Sequence, residues 1–153
     1  MFNIRVYGIL INENKDILVS DELIKGSYYT KFCGGGLEQG EGTMNCLKRE
    51  FMEEMELEIE IVSHLYTTDF YQKSLFNPNH QLISIYYLVQ PLEEIKTPIK
   101  TKPFDFDEAQ MIKHGLTNQV ESFRFIKWED FSAESVTLPI DKIAAKMVKQ
   151  LYK

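Results

Sequence analysis

Apolar residues in the first third of the chain form the short runs that are typical of a sheet. Residues 2–11 are apolar enough for a buried strand, and residues 17–20 are expected to pair back on them across a polar turn. Residues 28–32 form a further run, which ends at three consecutive glycines. Downstream strands are predicted over residues 58–71, 81–90 and 123–128.

Two stretches have the period of an amphipathic helix. Apolar residues recur at steps of three and four between Met44 and Met55, with Thr43 as the expected N-cap. A second helix is expected to open at Pro139, because proline suits the first position of a helix and an apolar stripe follows it. Residues 91–120 show no such period and are predicted to be irregular. Strands interleaved with two helices predict an α/β/α sandwich.

Length and composition limit the class of protein. A chain of 153 residues fits a single domain spanning residues 1–153, and no segment is apolar for long enough to cross a membrane. Only two cysteines are present, Cys33 and Cys46, which does not suggest a disulfide framework and favours the cytoplasm. The net charge of −6 argues against a nucleic acid polymer as partner, whereas a small phosphorylated substrate remains compatible with it.

Three glutamates within the first predicted helix suggest a metal site. Glu50, Glu53 and Glu54 stand at positions i, i+3 and i+4, so they share one helix face. Like charges repel there unless a cation collects them, and carboxylate oxygens suit Mg²⁺ or Mn²⁺. The alternative is a solvated helix face without function. A glycine-rich turn beside such a metal site is where a diphosphate is expected.

The segment around these glutamates resembles the Nudix box, G-x5-E-x7-R-E-U-x-E-E-x-G-U, in which U is a bulky apolar residue. The matching positions are Gly35, Glu41, Arg49, Glu50, Phe51, Glu53, Glu54 and Leu57. The late glycine of the pattern is replaced by Glu56, and Cys33 stands where proline is common. The resemblance implies a Nudix-type α/β/α sandwich with a mixed central sheet. The loss of the glycine predicts an altered helix exit, since glycine there would form a left-handed cap.

The resemblance also implies roles for individual residues. It makes Glu50, Glu53 and Glu54 metal ligands, with Glu53 favoured as the group that positions or deprotonates the attacking water. Arg49 is expected to hold Glu41 or a ligand carboxylate in place. A backbone carbonyl of Gly34 or Gly35 is expected on the metal. Nudix enzymes often take one more carboxylate from a later loop, and Glu121 is the first choice for it, ahead of Glu108.

The activity implied is hydrolysis of the P–O–P bond in a nucleoside diphosphate linked to another group X, with Mg²⁺ or Mn²⁺ as cofactor. Nucleoside triphosphates and ADP-sugars both remain open as substrates, and so does a homodimer. The main alternative is a Nudix-fold module that senses a nucleotide without cleaving it. That alternative is disfavoured because every box glutamate is present and the chain leaves no room for a helix-turn-helix domain. An acidic Ca²⁺-binding domain is disfavoured too, since no EF-hand loop is found.

Overall fold

The computed structural model describes residues 1–152 and has mixed α/β architecture. The elements follow along the chain as β1 (Phe2–Leu10), β2 (Ile17–Ile24), β3 (Ser27–Lys31), β4 (Cys33–Gly36), α1 (Thr43–Met55), β5 (Ile59–Thr67), β6 (Gln81–Pro91), β7 (Ile99–Lys100), α2 (Glu108–Thr117), β8 (Gln119–Ile126) and α3 (Pro139–Leu151). A single 3-10 turn at Ala133–Ser135 precedes the last helix. Within the described part of the chain, no helix is long and apolar enough to cross a membrane.

The chain divides into two compact units, which are described separately. The first comprises Met1–Leu10 and Cys33–Lys96, and the second comprises Ile11–Phe32 and the chain from Thr97 onward. Each unit contains one four-stranded mixed sheet. The predicted α/β class and the mixed pairing are therefore confirmed, with the strands distributed over two sheets.

The sheet of the first unit has the strand order β4-β1-β6-β5. Strand β1 runs parallel to β6 and antiparallel to β4, so that Val6 lies opposite Gly35. Helix α1 contacts this sheet through its apolar stripe, and Gly8 makes the close approach possible. A Cβ atom at Gly8 would lie 2.8 Å from Cε2 of the buried Phe51. The apolar stripe thus fixes which side of α1 faces the core.

The sheet of the second unit has the order β3-β2-β8-β7. Asp21, at the centre of β2, is fully buried and is paired with Arg124 through hydrogen bonds of 2.6 and 3.1 Å. Thr30 donates to the same carboxylate at 2.7 Å, so the buried charge is satisfied. Helix α3 begins at Pro139 as predicted and buries Ile140, among other side chains, on one face.

The structure corrects several sequence predictions about local structure. An antiparallel bridge between Ile11 and Ile17 closes the polar turn as predicted, but the rest of β2 pairs with β3 and β8, whereas β1 pairs with β4 and β6. Gly42 is the N-cap of α1, since Thr43 is already helical and its hydroxyl bonds with Tyr87 Oη at 2.7 Å. The segment predicted to be irregular contains α2, which begins with a capping box in which Asp107 and Gln110 bond each other's backbone N–H groups.

Candidate active site

Helix α1 separates a core side from a charged side, as the sequence predicted, except that Met44 at the start of the predicted apolar stripe is 50% exposed. Cys46, Leu47, Phe51 and Met55 are buried, while the charged side chains of the box lie on the remaining surface of the helix. The glycines of β4 lie beside that surface, because β4 contacts α1. The Gly34–Leu57 segment therefore brings its acidic side chains and its glycine backbone into one place.

Arg49 is the centre of this cluster. Its Nε and Nη2 atoms donate to the two carboxylate oxygens of Glu41 at 3.0 and 2.8 Å, in a bidentate pair. Its Nη1 atom donates to Glu50 at 3.0 Å and to Glu53 at 3.2 Å. Its Nη2 atom also donates to the carbonyl oxygen of Gly36 at 3.1 Å. One guanidinium group therefore joins three of the box glutamates to strand β4.

The charges in this cluster shift the acidity of its members. The Arg49 guanidinium, together with the backbone N–H of Glu38, lowers the pKa of Glu41 from 4.5 to about 2. Glu41 in turn is the main cause that raises the pKa of Arg49 above its ordinary value. Both groups are therefore charged at any pH at which the protein is used. The expectation that Arg49 holds Glu41 agrees with this contact, while its role in catalysis stays a prediction.

Glycine is required at two neighbouring positions of β4 for different reasons. Gly34 has φ +154°, and a Cβ atom there would lie 2.0 Å from the carbonyl oxygen of Val6. A Cβ atom at Gly35 would lie 2.3 to 2.5 Å from the carboxylate atoms of Glu50. The carboxylate thus rests directly against the Gly35 backbone, where any side chain would displace it.

The donor set suits a hard divalent cation. Glu50, Glu53 and Glu54 offer only carboxylate oxygens, and the missing side chain at Gly35 lets the Glu50 carboxylate approach the Gly35 backbone. Among residues 1–152, no three His, Cys, Asp or Glu side chains already converge as they would around an ion. Instead the Arg49 guanidinium bridges Glu50 and Glu53. The chemistry of these carboxylates therefore fits Mg²⁺ or Mn²⁺. In the structure the Arg49 guanidinium forms ion pairs with two of them, Glu50 and Glu53.

Cys46 lies within hydrogen-bonding range of the same glycine strand, with its Sγ atom 3.5 Å from the Gly36 carbonyl oxygen. Burial, together with the charge of Glu41, raises the pKa of this thiol to about 12. The thiol therefore stays protonated and acts as a small buried side chain, not as a nucleophile.

The two candidates for an additional carboxylate lie in the second unit. Glu121 was expected just before a strand but is the third residue of β8, and Ser20 Oγ donates to it at 3.1 Å. Burial, followed by the charge of Glu22 on the neighbouring strand, raises the pKa of Glu121 to about 7. Glu108 is the exposed first residue of α2, not part of an irregular segment. The role of either residue as an additional carboxylate of the metal site stays a prediction.

Sequence reasoning missed the charged pair next to Glu121. Glu22 lies directly opposite Glu121 on β2, and its carboxylate lies 3.2 Å from the Lys31 ammonium group. Both side chains are largely shielded from solvent, with exposed fractions of 18% for Glu22 and 8% for Lys31. The signal available in the sequence was a Ser-Asp-Glu run inside an otherwise apolar stretch, which is unusual within a strand.

Comparison with known proteins places this geometry in a family. The family model described as "NUDIX domain" matches residues 1–151. Among curated proteins, no sequence matches the chain.

Several solved structures share the fold at low sequence identity. A MutT NUDIX hydrolase from Burkholderia pseudomallei is 13% identical with a TM-score of 0.69, over 97% of this chain and 98% of that one. An ADP-ribose pyrophosphatase from Streptococcus suis is 12% identical with a TM-score of 0.58, over 100% and 96% of the two chains. A UDP-X diphosphatase is 13% identical with a TM-score of 0.62, over 100% of this chain and 65% of that one.

Proposed function

Because this chain belongs to the NUDIX domain family and is a Nudix hydrolase, we propose that it is a metal-dependent pyrophosphohydrolase. Its substrate would be a nucleoside diphosphate linked to another group X, and water would attack one phosphorus of the P–O–P bridge. The products would be a nucleoside monophosphate and a phosphorylated remainder, or pyrophosphate where the substrate is a nucleoside triphosphate.

The arrangement around Arg49 is the single observation that carries this proposal. Glu41, Glu50 and Glu53 all bond to one guanidinium group, and Glu50 rests against the Gly35 backbone. A solvated acidic helix face would not need this order, because exposed ion pairs contribute little to stability. This ordered arrangement supports a site whose carboxylates bind a ligand.

The chain's own residues would divide the work in the following way. Glu50, Glu53 and Glu54, with a backbone carbonyl of Gly34 or Gly35, would hold Mg²⁺ or Mn²⁺. Such an ion supplies neutralisation of the phosphate charge and stabilisation of the leaving oxygen. The Glu53 side chain is 58% exposed, against 13% for Glu50, so Glu53 can reach a water molecule and accept its proton.

The class of substrate is supported by the names of the structural relatives. One relative is named for ADP-ribose and another for UDP linked to a variable group, and both compounds are nucleoside diphosphates joined to X. The negative charge of the chain fits a substrate that arrives together with divalent cations. The cytoplasm is the proposed compartment, because the chain has two cysteines, Cys33 and Cys46, and no disulfide joins them.

A panel of nucleotides incubated with Mg²⁺ tests the proposal. The panel contains nucleoside triphosphates, ADP-sugars, UDP-sugars and dinucleoside polyphosphates, and the products are separated to identify each released phosphate species. We expect turnover of at least one compound with cleavage between two phosphorus atoms, and loss of turnover in excess EDTA. Binding of a nucleotide without turnover at any metal concentration would overturn the proposal in favour of a sensing module.

A further inference from the structure

Arg5 lies on the strand that pairs with the glycine-rich strand β4. Its partner in the register is Gly36, and its Nη1 atom lies 3.6 Å from the position that a Cβ atom would take at Gly36. The carbonyl of the same glycine accepts a hydrogen bond from Arg49. Two guanidinium groups therefore lie beside one glycine, and only Arg49 belongs to the box.

Arg5 and the Glu50 carboxylate lie against opposite faces of β4. A Cβ atom at Gly35 would meet the Glu50 carboxylate, whereas one at Gly36 would meet Arg5. Successive residues of a strand point to opposite faces, so the box carboxylates and Arg5 lie on different sides of the strand. Strand β4 is also the terminal strand of its sheet. A ligand that lies across this edge can contact the carboxylate side and the arginine side together.

A stack of buried aromatic rings fixes the direction of the Arg5 side chain. Arg5 Nε donates to Tyr7 Oη at 2.9 Å, and the guanidinium carbon lies 5.7 Å from the centre of the Tyr7 ring. Tyr7 in turn stacks on Tyr86 at 5.3 Å, and these rings are only 4% and 1% exposed. A guanidinium group that is held in this way loses little entropy when it binds a ligand.

We propose that Arg5 binds a phosphate group of the substrate on the face of β4 opposite the box carboxylates. The planar guanidinium fork matches phosphate oxygens, and the missing side chain at Gly36 leaves space for them beside it. The box itself is rich in carboxylates and binds phosphate only through metal ions, so an arginine next to it supplies the direct positive contact. This inference rests on the proposed function, because it assumes a phosphorylated substrate at β4.

Binding can be measured without turnover by using α,β-methylene ADP and its guanosine, cytidine and uridine counterparts, whose bridge between the phosphates is not hydrolysed. Isothermal titration in the presence of Mg²⁺ gives Kd for the wild type and for Arg5→Gln. We expect Kd of the tightest-binding analogue to rise at least about 10-fold in Arg5→Gln, because a charge-assisted contact is lost. Arg5→Lys should fall between the two, since it keeps the charge and loses the fork.

Two comparisons separate phosphate binding from a structural role. The variants should bind the parent nucleoside, which lacks phosphate, as weakly as the wild type does. The difference in affinity between the diphosphate and the nucleoside should therefore be smaller in the variants. Lys48→Gln removes one exposed positive charge from α1 and should leave Kd unchanged. Unchanged affinity for the methylene diphosphates in a folded Arg5→Gln variant would overturn the inference. Should Arg5→Gln fail to fold, wild-type affinity in Arg5→Lys would overturn it in the same way.

Failure of this inference can be told apart from failure of the proposed function. If the nucleotide panel shows turnover and Arg5→Gln binds normally, the function stands and the Arg5 site is rejected. With a substrate from the panel, the inference also requires KM to rise in Arg5→Gln by a similar factor, while kcat stays within about 3-fold, because a contact shared by ground state and transition state affects mainly KM.

Discussion

Arg49 forms hydrogen bonds with Glu50 and Glu53 of α1 and with Glu41, which precedes the helix. It holds Glu41 through two hydrogen bonds and keeps its third nitrogen for Glu50 and Glu53. Since the Glu41 pair uses the Nε and Nη2 atoms, the contacts at Nη1 are the ones that a divalent cation would replace. We therefore expect Glu41 and Arg49 to form the fixed part of the proposed site, and Glu50 and Glu53 to form its exchangeable part.

Replacing Glu53 by glutamine tests the exchangeable part. We expect Glu53→Gln to lower kcat by at least about 10²-fold, which is the lower range for loss of a general base. Helix propensity hardly differs between Glu and Gln, so the fold should survive. Steady-state kinetics measures the effect, and Glu56→Gln, three residues later and outside the cluster, is the matched control. Near-normal kcat in a folded Glu53→Gln variant would show that Glu53 is neither base nor essential ligand.

The two neighbouring glycines of β4 offer a paired test of the carboxylate position. In Gly35→Ala the new Cβ atom would lie 2.3 Å from the Glu50 carboxyl carbon, so this flexible side chain must move away. We expect a folded protein with a lower kcat and a higher metal requirement. In Gly36→Ala the nearest atom is Arg5 Nη1 at 3.6 Å, an ordinary contact. The Glu50 carboxylate therefore keeps its position and kcat should change little, whereas a methyl group in the proposed phosphate space beside Arg5 should raise KM. Equal kcat in the two variants would contradict the assigned position of Glu50.

Among the secondary-structure elements, the sequence predicted most accurately those helices whose apolar stripe is buried in the structure. Helix α1 has an apolar stripe that is buried, and α3 opens at Pro139 with a similar stripe. Helix α2 was missed because it buries no residue and exposes apolar side chains such as Leu116, so no core-facing period exists. The sequence does contain a start signal for α2, namely Asp107 followed three residues later by Gln110, which form its capping box.

Strand partners were harder to predict than strands. The polar turn after β1 suggested a hairpin with β2, but β1 pairs with β6, about 80 residues away along the sequence. Parallel pairing at such a separation leaves no local signal in the sequence. Strands β2 and β8 pair antiparallel but are also far apart in the sequence, so the register that sets Glu22 opposite Glu121 could not be predicted. The contacts among Glu41, Arg49 and Glu50, in contrast, follow from short spacing along one segment.

The end of α1 contains a left-handed residue that glycine would suit better. Glu56 has φ 49° and ψ 39°, so the missing family glycine did not alter the helix exit, contrary to the prediction from sequence. We expect Glu56→Gly to raise the free energy of unfolding by about 1 kcal/mol, because it removes the cost of a Cβ atom in this conformation. Urea denaturation measures it. The control is Asn118→Gly at the end of α2, where φ is 59° and asparagine already tolerates the conformation. A gain of similar size in both variants would point away from this explanation.

Glu121 on β8 and Glu108 on α2 are the two sequence candidates for one further carboxylate. A side chain on a strand is held more precisely than one at the exposed start of a helix, so we expect Glu121→Gln to cut kcat and raise the metal concentration needed. Glu108→Gln should do little, and the reverse pattern would move the assignment to Glu108. Two silent variants would mean that the box carboxylates suffice.

The pKa of Glu121 allows a second measurement on the Glu121→Gln variant, made without added metal. Its pKa is raised in the folded state from 4.5 to about 7, so the folded protein binds more protons than the unfolded chain between these values. Stability should therefore fall as pH rises through this window, and Glu121→Gln should remove that part of the decline. A variant whose denaturation midpoint follows the wild type at every pH would show that the carboxyl is solvated.

For the molecule as a whole, excess negative charge links metal binding to stability. The net charge is −6, and three glutamates of one helix face contribute to it, so cations bound there would stabilise the native state. The unfolded chain spreads these carboxylates apart and binds an ion far more weakly. Divalent cations should therefore stabilise the native protein even in the absence of nucleotide.

Removal of metal is the direct test of that link. At a free Mg²⁺ or Mn²⁺ concentration of about 100 times Kd, the native state gains about 2.7 kcal/mol, which raises Tm by roughly 5–10 °C for a chain of this size. EDTA should reverse the rise, and NaCl at equal ionic strength should not reproduce it, since screening acts without a specific site. The Glu53→Gln, Glu54→Gln double variant should lose most of the shift, whereas Glu58→Gln together with Glu60→Gln, which removes the same charge outside the helix, should keep it. A shift of equal size in both double variants would place the ion somewhere other than on α1.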